Sequence, residues 1–263
     1  KVKFVPISAF EGDNITERSP VMDWYRDASL FQALEELTPP DRAPAAARPL
    51  RLPIHSVQNA AGVGRVYMGK VESGTLKVGA AVSISPGNIS GEVKSIHLFG
   101  TEVKQAGPGL NVGFHLKISG GGDKCVGRGM VVSETKNEVA KEVSDITAQM
   151  IVMNHPGHIA AGYSPVMECH VSQTQMRVVD LLSTIDRKTG KEIEKDPKAL
   201  KTGDVAIVKL VPQKPLCVEA YSAHPGLGRF VIRDSNRIVA MGNIKSVNTG
   251  TKDGDGAPAK SKK

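Results

Sequence analysis

The chain has 263 residues and a mass of 28.0 kDa, with 40% hydrophobic and 23% charged residues and a formal net charge of +7. That is enough apolar material for about two domains without disulfide or metal staples. A mild excess of Lys and Arg favours a polyanionic partner without naming one. Coiled coil and whole-chain disorder are excluded by 27 Gly, 16 Pro and a normal apolar content.

The chain opens on Lys1-Val2-Lys3-Phe4-Val5-Pro6, with neither an initiator Met nor a signal peptide, and an opening in mid-strand suggests part of a longer protein. Residues Val2–Ile7 alternate loosely and predict a strand, followed by a polar turn over Ser8–Asn14. Ser29 has the position of a helix N-cap, with Gln32 as its capping-box partner. Leu30, Phe31, Leu34 and Leu37 follow at helical spacing until Pro39-Pro40 stop the helix. Strand, loop and helix read as the end of an α/β unit. The stretch Thr38–Pro49, with four prolines and four alanines, predicts an extended linker.

From Leu50 the texture changes to short strands between glycine turns. Arg65–Glu72, Ala81–Ser85, Glu92–Phe99, Asn111–Ile118 and Met130–Val132 have the spacing of a small barrel. A charged bridge, Ser133–Asp145, leads to a second set: Ile146–Met153, Val166–Ser172, Val205–Val211, Leu216–Tyr221, Arg229–Arg233 and Arg237–Lys245. Asp186–Gly190 and Asp234-Ser235-Asn236 read as hairpin turns. The expected fold is mainly β: two consecutive six-stranded β-barrels behind a short α/β remnant. The boundaries fall at residues 1–40 for the remnant, 41–49 for the linker, 50–135 and 145–247 for the barrels, and 248–263 for a disordered tail.

Several local patterns invite a chemical reading and fail it. Gly64–Val71 fits GxxxxGK but ends in Val, where a phosphate loop needs a hydroxyl for magnesium, and it alternates like a strand. Gly120-Gly121-Gly122 has no helix pattern after it and reads as a turn. His155-Pro156-Gly157-His158 cannot form the helix that zinc HxxH sites use. Cys169 and His170 are strand neighbours, so they point to opposite faces and cannot pair as nucleophile and base. Cys125, Cys169 and Cys217 form no CxxC and read as reduced thiols of a cytosolic protein. No apolar run reaches the ~18–20 residues of a membrane span. Arg229 and Arg233 share one strand face, with Arg237 across the turn, and a basic face suits phosphate contacts as well as a solvated edge.

Nine short segments, in order, resemble the translational GTPases of the elongation factor 1-alpha type. They are Phe4–Ala9, Pro49–Pro53, Gly62–Gly64, Gly69–Gly74, Asn111–Phe114, Asn154–Gly157, Ala161–Tyr163, Gly203–Ala206 and Leu227–Phe230. The resemblance implies a nucleotide-binding domain followed by two barrels, of which this chain carries the last part of the first domain and both barrels. It implies GTP and Mg2+ as ligands of the intact protein and none for this piece, which lacks the phosphate loop, the magnesium segment and the Asn-Lys-x-Asp guanine reader. Only the last guanine-contacting loop matches, at Ser8, Ala9 and Phe10. Catalytic residues and a metal site are not expected in this piece.

The same resemblance places the aminoacyl-tRNA 3′ end at Gly62, Gly64, Arg65, His97 and Asn111, and the tRNA backbone at Arg229, Arg233 and Arg237. Two departures touch that site: Leu110 stands where the family has Asp, and His97 where a family Glu packs against the terminal adenine. Histidine can also stack on a base. The segment Ser56–Ala61 departs as well, which points to a divergent lineage or paralogue. The implied activity is GTP-dependent delivery of aminoacyl-tRNA to the ribosomal A site in the cytoplasm. The implied partners are aminoacyl-tRNA, the ribosome and a guanine-nucleotide exchange factor; the family also allows actin, and no membrane is expected. The alternatives are a release-factor-3 or ribosome-rescue paralogue gripping a tRNA-shaped protein, and the GTPase subunit of sulfate adenylyltransferase.

Overall fold

The computed structural model describes residues 2–60, 62, 64–187, 189–235 and 237–250, and the chain divides after Asp41 into two units. The tail expected over 248–263 lies outside the described residues from position 251 onward.

The first unit is held by hydrogen bonds rather than by an apolar core. Helix α1 (Leu30–Glu35) begins at Ser29, which forms the expected capping box with Gln32. Ser29 Oγ also donates to Thr16 O at 2.9 Å, and Asn14 Nδ2 donates to Pro6 O at 2.7 Å. The strand expected over Val2–Ile7 does not form, because no neighbouring strand among the described residues pairs with its backbone. Phe4, Phe10, Trp24, Phe31 and Leu37 are all more than half exposed.

The second unit starts with a one-turn helix, α2 (Ala43–Ala46), where the sequence suggested an extended linker. Pro44 occupies the first turn, where its missing N–H costs nothing, and Gly74 N–H donates to Ala45 O at 2.9 Å. The first barrel then comprises β1 (Leu52–Ala60), β2 (Gly64–Lys70), β3 (Leu76–Lys77), β4 (Ala81–Ser85), β5 (Ile89–Leu98), β6 (Thr101–Val103), β7 (Gln105–Ala106), β8 (Asn111–Ile118) and β9 (Val131–Glu134). Antiparallel pairing in the order β4-β9-β1-β2-β8-β5 closes through β4–β5, so six strands make the wall and leave it without an edge. β6 extends β5, and β3 pairs with β7. The Gly120-Gly121-Gly122 run lies in a 3-10 turn, Ser119–Cys125, rather than a plain turn.

The second barrel comprises β10 (Asp145–Val152), β11 (Val166–Cys169), β12 (Ser172–Ile185), β13 (Glu192–Lys195), β14 (Val205–Pro212), β15 (Arg229–Asp234) and β16 (Arg237–Asn248). It closes in the order β11-β15-β16-β10-β14-β12 through β11–β12, with β13 appended to β12. The strand suggested over Val166–Ser172 is interrupted at His170-Val171. There His170 takes a φ of 45° and the chain reverses into the long β12.

Leu216–Tyr221, expected as a strand, belongs to no ladder. Its backbone bonds are spread over three elements: Val143 N–H donates to Leu216 O, Glu219 N–H to Leu227 O and Tyr221 N–H to Ile244 O. Its apolar side chains, Leu216, Cys217 and Val218, are buried, so hydrophobicity alone imitated a strand. This segment, together with α3 (Pro225–Gly228), forms the junction with the first barrel. Val131, Ala140, Cys217 and Leu227 pack together there, and buried Arg51 pairs with Glu219.

Each barrel has its own core. Strand alternation sends Leu52, Ile54, Tyr67, Ile96 and Phe114 inward in the first, and Ile146, Met150, Met167, Val208 and Ile232 inward in the second.

Candidate nucleic-acid interface

In the first barrel, alternation that buries Tyr67, Ile96 and Phe114 turns Val66, Met68, His97, Gly113 and His115 outward. Register then aligns them. Met68 lies opposite Gly113 and Gly113 opposite His97, so the three form one row across β2, β8 and β5. The next row is Val66, His115 and Ser95. Two strand spacings separate the Met68 and His97 backbones by about 10 Å. Between them Gly113 contributes no side chain, and the result is a glycine-floored slot with a thioether on one side and an imidazole on the other.

Asn111 lies two residues from Gly113 on the same face, and its Oδ1 is 3.1 Å from His55 Nε2. The structure therefore brings His97 and Asn111 to one place. Gly62, Gly64 and Arg65 sit at the far end of β2, with Gly64 about 13 Å along the strand from Met68. Gly64, with a φ of 92°, passes His115: a Cβ there would lie 3.9 Å from His115 Cε1. His115 Nδ1 is buried and has no hydrogen-bond partner among the described residues.

Arg65 is already engaged. Its Nη1 donates to Asp123 O, and its Nε lies 3.9 Å from Asp123 Oδ2. Tyr67 OH donates to the other oxygen of the same carboxylate. Burial, and then this Asp123 contact, push the Tyr67 hydroxyl well above its usual range. Arg65 thus rivets the 3-10 turn to β2. Met68, Gly113, His115, His55 and Asp123 were missed from the sequence, since only cross-strand register makes them neighbours.

In the second barrel, Arg229 and Arg233 do share the outer face of β15, and each has a partner. Arg229 Nη2 donates to Tyr221 OH at 2.6 Å, and its guanidinium lies 5.0 Å from the Tyr221 ring centroid. Arg233 Nη1 donates to Glu168 Oε1 at 2.9 Å. Arg237 is exposed opposite Asp234. Beside Arg229 the outer face holds a cavity of about 730 Å³ floored by Ile151, Val231 and Met241.

In the first unit, Ser8 and Ala9 open a tight turn in which Gly12 N–H donates to Ser8 O at 2.9 Å and Ser8 N–H to Asp13 O at 3.2 Å; Phe10 stands out at 96% exposure. Gly64–Lys70 is barrel strand rather than phosphate loop, and no cluster of three or more His, Cys, Asp or Glu among the described residues could hold a metal. Cys169 Sγ donates to Leu227 O, and burial pushes its thiol up to about 12. His170 Nε2 instead meets Cys217 O at 3.0 Å, so the two do not form a nucleophile and base. His155 Nδ1 accepts from Gly157 N–H inside a turn. No helix among the described residues is long and apolar enough to cross a membrane.

Comparison with known proteins bears on both barrels. Residues 64–133 match the model for elongation factor Tu domain 2, and residues 145–245 match the GTP-eEF1A C-terminal domain-like model. Elongation factor 1-alpha from Entamoeba histolytica is 48% identical over 248 residues, covering 94% of this chain and 55% of that protein. The chain thus spans about half the length of the curated relative it matches. Two crystal structures of Sup35, complexed with GMPPNP and with GDP, superpose with a TM-score of 0.72 each, at 29% and 30% identity. They cover 92% and 93% of this chain and 58% and 59% of theirs. Two closed barrels in this order define the β-barrel portion of a translational GTPase. Within that class, the chain belongs to the elongation factor 1-alpha family.

Proposed function

We propose that this chain supplies the tRNA-gripping barrels of a GTP-dependent elongation factor that delivers aminoacyl-tRNA to the ribosomal A site in the cytoplasm. The observation that carries the reading is the Met68–Gly113–His97 row. A flat floor between a polarizable sulfur and an aromatic ring takes a purine by stacking, and stacking needs no hydrogen-bond code. The terminal adenosine occupies that slot, and the aminoacyl group extends toward Asn111. Gly62, Gly64 and Arg65 stand at the far end of β2, about 13 Å along the strand from the slot, and are proposed to meet the same 3′ end there. Arg229, Arg233 and Arg237 line the face that meets the phosphate backbone, where cations position an RNA without reading its sequence. Arg229 and Arg233 exchange Tyr221 and Glu168 for phosphate oxygens as they bind.

GTP and Mg2+ are held mainly by residues outside this sequence. Ser8, Ala9 and Phe10 add only backbone groups near the base, and residues 1–40 close the nucleotide-binding domain. The ribosome and a guanine-nucleotide exchange factor are partners of the intact factor. No residue described above points to actin.

A second reading is a release-factor-3 or ribosome-rescue type paralogue, whose barrels would grip a protein partner shaped like tRNA. Filter binding of charged and uncharged tRNA at two salt concentrations separates the two. Delivery predicts tighter binding of the charged form and an affinity that falls with salt. Equal binding of both forms with no salt slope overturns it. Arg233→Ala should weaken all tRNA species alike and flatten the slope by about 0.7–0.9.

A further inference from the structure

At the junction of the barrels a chain of polar groups lies almost fully out of water. Arg51, at the entry to β1, is 1% exposed. Its Nε donates to Glu219 Oε1, and its Nη1 donates to Leu50 O at 2.9 Å and Glu138 O at 2.8 Å. Glu219 Oε2 lies 3.1 Å from His224 Nε2. His224 Nδ1 lies 3.1 Å from Ser73 Oγ, and Ser73 Oγ lies 2.7 Å from Pro49 O. His224 and Ser73 are each 4% exposed.

Counting protons along this chain exposes a shortage. The contacts Pro49 O to Ser73 Oγ, Ser73 Oγ to His224 Nδ1, and His224 Nε2 to Glu219 Oε2 each need one proton. Pro49 O can only accept, and an ionised carboxylate can only accept. The Ser73 hydroxyl and a neutral imidazole bring two protons between them. One contact is therefore unmade unless the Glu219–His224 pair takes up a proton.

We propose that Ser73, His224 and Glu219 form a proton relay that fastens the strap Arg42–Pro49 to the first barrel when the pair is protonated and loosens it when the pair is not. In the deprotonated form, His224 Nε2–H donates to the Glu219 carboxylate, and the Ser73 hydroxyl donates to His224 Nδ1. Pro49 O is then without its hydroxyl. Uptake of one solvent proton moves the Nε2 proton to Glu219 Oε2 and leaves the new proton on Nδ1. The Ser73 hydroxyl, now accepting from Nδ1–H, rotates to donate to Pro49 O. The contact between the barrels, His224 to Ser73, persists in both forms; only the strap changes.

Burial decides where the extra proton rests. It pushes the Glu219 carboxyl up, against the opposing pull of Arg51, and pushes His224 down to about 4, so the imidazole stays neutral in both forms. The other charged neighbours are Arg48 and Glu138, which act on His224 with opposite signs, and Glu72, whose carboxylate lies beside Gly226 on the same loop. Cys217 is held as a thiol by its own burial. The pair titrates as one site.

The tautomer is directly observable. Imidazole nitrogen shifts of His224, in the full 263-residue chain and assigned by their loss in His224→Gln, should change from the Nε2–H to the Nδ1–H form on acidification, as the pair takes up its proton. Glu219→Gln replaces the protonated carboxyl with an amide donor and should hold the Nδ1–H form across the whole range. The strap is read by amide exchange of Gly74, whose N–H bonds to Ala45 O in α2. Its protection factor, corrected for intrinsic exchange, should rise at least about 3-fold on acidification. Ser73→Ala should abolish that rise while leaving the barrels folded. An invariant tautomer in the unmodified chain, an Nε2–H form in Glu219→Gln, or an equal acid-dependent rise in Ser73→Ala overturns the relay.

Discussion

Filling the slot in the first barrel tests the functional reading at one atom's resolution. Gly113 has no positive φ, and a Cβ built on it meets only Val66 Cγ1, at 3.6 Å, an ordinary contact. Valine is a strong strand former. Gly113→Val should therefore keep the barrel within about 0.5 kcal/mol of its original stability. Its methyl groups rise into the space between Met68 and His97, where the terminal adenine is proposed to stack. Stacking of one base is worth about 1–3 kcal/mol, so affinity for tRNA should fall roughly 5- to 150-fold. Charged and uncharged tRNA should lose alike, because the adenosine is common to both. The neighbouring Gly69 is the control: a Cβ there would collide with Leu52 Cδ2 and lie 2.5 Å from Pro53 O. Gly69→Ala should cost about 1–3 kcal/mol of stability by overpacking. Urea denaturation and filter binding on both variants give the answer. A folded Gly113→Val chain that binds tRNA within about 2-fold of the original affinity refutes the slot as the adenosine site.

Three further outcomes are expected. Burial pushes the Cys169 and Cys217 thiols up to about 12, so near pH 8 a thiol reagent should label only exposed Cys125 quickly in the folded chain and all three cysteines in denaturant; rapid labelling of a second site in the folded chain contradicts this. Glu219 and His224 titrate as one site, so the proton that burial keeps off the imidazole is taken up by the pair, and His224→Gln should change the acid side of the stability profile in denaturation curves; an unchanged pH profile contradicts the assignment. Phe99, 95% exposed at the β5–β6 turn with a φ of 48°, occupies a conformation that costs a bulky residue about 1–2 kcal/mol, and Phe99→Asn should raise stability by about 1 kcal/mol in thermal or urea unfolding; a loss of stability would show that the ring makes a needed contact.

Local patterns in the sequence determined much of this protein. The Ser29–Gln32 capping box, the alternation in Asn111–Ile118 and Ile146–Met153, and the turn residues between them are signals within one element. They are readable because a helix start or a strand face is set by residues a few positions apart. The ordered family segments extended that reading to two barrels. Sequence misled where a local signal lacked its partner: Val2–Ile7 alternates without a neighbouring strand, and Leu216–Tyr221 is apolar because it lies between barrels rather than within one.

Tertiary structure alone decided the rest. Met68, Gly113 and His97 come from three strands, and Arg51 meets Glu219 across 168 positions. Such meetings follow from strand register and barrel closure. A shift of one residue in register would turn every side chain of a strand to the other face, yet no short segment records which register the closed wall adopts.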